Sequence, residues 1–152
     1  MFEGKRLNFI DNVCIDLHKF KNGYFLTLNA LTKDEILFES QIKKMMNWLN
    51  VLCFRRSFLR GTKRLKILGV FEIGTEKLGL HIHLLIMHNN DTNRTINEIE
   101  SFIRKKYYRL LRARGRFDGN LIDLQHVRDL RSRVEYMSKN FHKVDDFNFV
   151  CF

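Results

Sequence analysis

Two stretches decide the fold: LKILGVFEI, Leu65 to Ile73, and LHIHLLIM, Leu80 to Met87. Both are apolar runs of strand length, and the connection between them is bounded by Gly74 and Gly79, which predicts an antiparallel hairpin. Upstream, YFLTLN (Tyr24 to Asn29) reads as a strand with Phe25, Thr27 and Asn29 on one face and Tyr24, Leu26 and Leu28 on the other. The apolar-polar stretch from Val13 to Phe20 predicts a strand that pairs with it around Lys21-Asn22-Gly23.

Thr32-Lys33-Asp34-Glu35 has the form of a capping box and opens a predicted helix to about Phe54, with Ile42, Met45, Leu49 and Leu52 as its stripe. A second helix carries Ile96, Ile99, Ile103, Tyr107 and Leu110 or Leu111 on its apolar side. Leu121 to Val127 reads as a further strand, and Leu130 to about His142 as a last helix. The order β-α-β-β-α-β plus a helix predicts an α+β, ferredoxin-like (RRM-like) antiparallel sheet of about five strands, with helices on one face. Without internal repeat or linker, residues 1–152 read as a single domain.

The 152 residues carry 27 Lys+Arg against 17 Asp+Glu, a net charge of +10, which points to partners dense in negative charge, nucleic acid above all. Cys14, Cys53 and Cys151 are odd in number and lack metal or redox spacing, so they read as reduced thiols in a cytosolic protein. No apolar run approaches the ~20 residues of a membrane span, and the polar start is not that of a signal peptide.

Chemistry concentrates in the hairpin. Residues two apart on a strand share a face, so His81 and His83 project together. If Ile73 faces Leu80, Glu72 stands opposite His81; a two-residue slip would put it opposite His83. Two imidazoles and a carboxylate suit Mn²⁺ or Mg²⁺ acting as a Lewis acid. Histidines among Leu and Ile are also found as hydrogen-bonded core residues. Farther along, Tyr136 and Lys139 lie three apart on the predicted last helix. A phenol of pKa near ~10 needs a neighbouring cation to attack at neutral pH. An ordinary packed Tyr beside a solvated Lys has the same spacing.

FLTLNA (Phe25 to Ala30), LHIHLLI (Leu80 to Ile86) and EYMSKN (Glu135 to Asn140) resemble, in order and spacing, motifs one to three of the replication initiators among the HUH endonucleases. The resemblance runs from the first strand to the last helix. It implies the HUH endonuclease fold and a nickase that initiates rolling-circle replication of a plasmid, phage or virus. Tyr136 would attack a phosphate at an origin nick site or hairpin in single-stranded DNA, leaving a 5′-phosphotyrosine bond, and the same site could rejoin strands. His81 and His83 would hold the metal, with Glu72 as third ligand or, as in other branches, Asn140, while Lys139 assists the tyrosine. There is one motif tyrosine rather than two and no GxxxxGK[ST] loop, so the resemblance implies a separate helicase or an excised nuclease domain. Host cytosol is the expected compartment, or the nucleus for a eukaryotic virus.

For holding DNA, one segment mixes cations with aromatics, with Arg104, Lys105, Tyr108, Arg112, Arg114 and Arg116, and a second, basic cluster of Arg55, Arg56, Arg60, Lys63, Arg64 and Lys66 precedes the strand carrying Glu72. Thr27 and Asn29 are expected to touch DNA near the site. Rival readings are a single-tyrosine HUH transposase, a nuclease that uses water, and a non-catalytic RNA- or DNA-binding module.

Overall fold

The structure, a computed structural model, describes residues 2–73, 79–92, 94–111, 121–139 and 148–152. In chain order the elements are α1 (Phe2–Leu17), β1 (Asn22–Asn29), α2 (Glu35–Phe54), α3 (Arg56–Leu59), β2 (Lys66–Ile73), β3 (Leu80–His88), α4 (Ile96–Leu110), β4 (Ile122–His126), α5 (Leu130–Met137) and β5 (Asn148–Cys151). The strands form one five-stranded sheet in the order β4-β1-β3-β2-β5, and each described pairing is antiparallel. The α+β, ferredoxin-like class read from the sequence is the class observed.

Alternation along the strands divides two cores. Leu26, Leu28, Ile67, Ile82, Leu84 and Ile86 point to the face covered by α2 and α4, where Phe38, Ile42, Met45, Leu49, Ile99, Ile103 and Tyr107 close over them. Phe25, Leu68, Val70, Leu85 and Met87 point to the other face, beneath α1 and α5, which supply Ile10, Leu17, Val134 and Met137. Helices therefore cover both faces, not one as the element order suggested. The additional layer is α1 together with α5.

The stretch Val13 to Phe20 does not pair with β1. Residues 13–17 belong to α1, because Ile10, Val13, Cys14 and Leu17 recur at the helical period and bury together against the sheet. The helix α2 begins one step differently from the predicted capping box. Asp34 is its N-cap and accepts from the Leu37 N–H, while the Thr32 hydroxyl accepts from the Asp34 N–H. A complete capping box stands instead at α4, between Thr95 and Glu98. The last helix is shorter than predicted: α5 ends at Met137 with Ser138 as its C-cap, and residues 140–142 lie outside the described residues. The strand β5, a four-residue run, was not anticipated; it adds to β2 with Gly69 opposite Val150.

Candidate metal centre and nucleophile

Register places the site. Glu72 pairs with His81 across β2 and β3, as the Ile73–Leu80 alignment predicted, and Thr27 pairs with His83 across β1 and β3. All four side chains rise from the α1/α5 face, at the end of the sheet where β2 finishes and β3 begins. Glu72 and His83 are buried, at 8% and 4% exposure, and His81 is partly so.

The ligand atoms of Glu72, His81 and His83 all lie within 4.8 Å of one another. His81 Nε2–H donates to Glu72 Oε2 at 3.0 Å, and His83 Nε2 stands 3.4 Å from the same oxygen. His83 Nε2 and His81 Nδ1 are buried without a hydrogen-bond partner. Orphan imidazole nitrogens around a carboxylate are costly in a closed protein and suit a cation. The donor set therefore fits a metal ion. Thr27 Oγ1 lies 2.9 Å from His83 Nδ1. For Nε2 to offer a lone pair to a cation, Nδ1 must carry the hydrogen, and the Thr27 oxygen is the acceptor that holds it there.

Lys139 follows the helix end rather than lying within it; its N–H donates to the Tyr136 carbonyl in the closing turn. That turn brings Lys139 Nζ within 3.1 Å of Glu72 Oε2 and 4.4 Å of the Tyr136 ring centre. Burial pushes the Glu72 carboxyl up, but its contacts with His81, His83 and Lys139 outweigh burial and hold it well below the usual carboxylate range. Burial pushes the Lys139 ammonium down, and the Glu72 carboxylate more than restores it, so the net shift is upward. Both groups are therefore charged at neutral pH.

Tyr136 is 45% exposed at the rim of this cluster. Its ring meets His83 edge-on at 5.2 Å between centroids and Phe25 at 6.0 Å, while Phe25 stacks on His83 at 5.5 Å. A half-exposed phenol thus stands beside the buried His–His–Glu group with an ammonium at its ring.

The structure brings together Glu72, His81, His83, Tyr136, Lys139 and Thr27, with Asn29 beside them opposite His81. It does not bring the described members of either basic cluster to them. Arg55, Arg56, Arg60, Lys63 and Arg64 are exposed around α3 and the start of β2, at the opposite end of that strand from Glu72. Six residues of strand separate Lys66 from Glu72, roughly 20 Å. Lys63 there ion-pairs with Asp91. Arg104, Lys105 and Tyr108 ride on α4, over the other face of the sheet, and Arg104 is engaged by Glu100. Asn140, Arg112, Arg114 and Arg116 lie outside the described residues. Sequence reasoning missed Phe25 as a wall of the site and missed Arg133, whose spacing of three from Tyr136 on one helix was the available signal.

No protein-family model, curated protein or solved structure matches this chain.

Proposed function

We propose that this protein is a metal-dependent, single-stranded DNA endonuclease and strand transferase of the HUH type, working through a tyrosine-linked intermediate. One observation carries the reading: Tyr136 stands against His83 while Lys139 joins its ring to the carboxylate of the His–His–Glu group. The resemblance of the three motifs to those of replication initiators supports the same assignment, and with it a role in starting rolling-circle replication alongside a separate helicase.

Glu72, His81 and His83 would hold Mn²⁺ or Mg²⁺, which supplies Lewis-acid polarisation of a phosphate when bound. The chain's own groups do the rest. The Tyr136 phenol loses its proton to water, and the Lys139 ammonium favours the phenolate. The phenolate oxygen attacks phosphorus, the bond from phosphorus to the 3′ oxygen breaks, and that oxygen takes a proton from water to leave a free 3′-OH. The 5′ phosphate stays on Tyr136. Because one phosphodiester has been exchanged for another, a 3′-OH can attack the phosphotyrosine and restore a strand without ATP. Among the described residues no helix is long and apolar enough to cross a membrane.

The double variant His81→Ala/His83→Ala tests the assignment. Cleavage of single-stranded DNA with Mn²⁺ is expected to be lost while DNA binding persists. Cleavage at the wild-type rate would remove these histidines from the reaction.

A further inference from the structure

Beside the reaction centre, the sheet ends at β4, and between that edge strand and the first turns of α5 runs an open groove of about 530 Å³. Gln125, His126, Arg128, Asp129, Ser132 and Arg133 line it. We propose that this groove holds the nucleotides adjoining the scissile phosphate, with Arg128 and Arg133 on their phosphates. The inference rests on the nuclease reading above and extends it to the path of the strand.

Continuity is the first argument. Arg133 lies one helical turn before Tyr136 and so shares its face of α5. Its guanidinium sits 4.9 Å from the Phe25 ring centre, and Phe25 is the ring that touches both Tyr136 and His83. A strand leaving the Tyr136 phosphate in this direction passes over Arg133 at once.

Charge is the second. Gln125 Oε1 accepts from Arg133 at 2.7 Å, and Gln125 Nε2 donates to Asp123 at 2.8 Å, so the guanidinium is held by a neutral amide rather than neutralised by a carboxylate. Its remaining N–H groups match the geometry of phosphate oxygens. Arg128 is exposed, with no ion-pair partner among the described residues. Asp129, the acidic member of the lining, is committed to α5 by accepting from the Ser132 N–H. Size is consistent, since the volume falls within the ~300–1,000 Å³ of small-ligand sites. Among the described residues, Arg104 and Lys105 lie over the other face of the sheet, whereas Arg133 meets Phe25 beside the site and Arg128 continues the groove toward the sheet end where the Val127 N–H donates to the Gly23 carbonyl.

The test is fluorescence anisotropy with a labelled single-stranded DNA of mixed sequence, about one turn of duplex or longer, titrated across salt in the Tyr136→Phe background so that no strand is cut. Arg128→Ala/Arg133→Ala is expected to weaken binding about tenfold and to lower the salt slope by about 1.4, the worth of two single-strand phosphates. Arg128→Ala alone, at an exposed position that the fold does not use, is expected to lower it by about 0.7. An unchanged slope in both variants, with the loss appearing instead in Arg55→Ala/Arg56→Ala, would overturn the groove. A parallel assay for covalent adduct in wild type separates the two readings. Adduct without a groove effect retains the nuclease and rejects the groove; a groove effect without adduct retains the groove and rejects the tyrosine chemistry.

Discussion

Thr27 illustrates how much a single hydroxyl can decide. Its Oγ1 stands 2.9 Å from His83 Nδ1, and with the hydrogen on Nδ1 the Thr27 oxygen accepts it and leaves Nε2 a lone pair to offer a cation beside Glu72. Partners of this kind are worth about 10–100-fold in metal affinity. Thr27→Val keeps the shape of the side chain and removes the oxygen, so it should weaken Mn²⁺ binding by that range in titration calorimetry, whereas Thr27→Ser should retain it. Equal affinity in wild type and Thr27→Val would show that the hydroxyl has no hold on the imidazole. At this scale Glu72 opposite His81 was legible, because both the strand alternation and the Gly-bounded connection constrain a hairpin register. Thr27 was read as a DNA contact instead. Its partner lies 56 positions away on a strand whose pairing with β1 nothing local specifies.

At the scale of elements, the short helix that carries Tyr136 depends on a neighbour the sequence reading misassigned. Arg6 on α1 donates to the Ser138 hydroxyl and to the Glu135 carbonyl, both at 3.3 Å, and Arg131 on α5 returns an ion pair to Asp11 at 2.8 Å. Residues 135 and 138 bracket the tyrosine, so these bonds fix the end of α5 over the sheet. Arg6→Ala is expected to cost about 1 kcal/mol in urea unfolding and to slow adduct formation more than it weakens DNA binding. Unaltered stability together with unaltered adduct rate would separate α1 from the site. The misreading has a physical source. Val13, Ile15 and Leu17 alternate well enough to suggest a strand, yet Ile15 is exposed and it is the helical set Ile10, Val13, Cys14 and Leu17 that packs. Periodicity within eight residues cannot separate the two; the wider window including Ile10 can.

Over the whole molecule, charge and chemistry are laid out apart. Net charge +10 points to a partner dense in negative charge, and the largest basic runs are the expected contacts. Among the described residues, folding sends Arg55 to Arg64 to the far end of β2 and Arg104 and Lys105 to the α4 face, and leaves Lys139 against Glu72 and Arg133 over Phe25. Composition reports how much positive charge a chain has; only topology says which of it faces the reaction. The fold class was legible because strand and helix periods differ, and the Glu72, His81 and His83 group because two adjacent strands carry it. The second helical layer and β5 were not, since each is decided by what it packs against. Incubating the protein with Mn²⁺ and a labelled library of single-stranded DNA, then resolving it on a denaturing protein gel, tests the nuclease reading directly. The expected result is a retarded, labelled protein band in wild type that disappears with Tyr136→Phe or when the metal is chelated. Cleaved DNA with no retarded band, or a band that survives Tyr136→Phe, would contradict it.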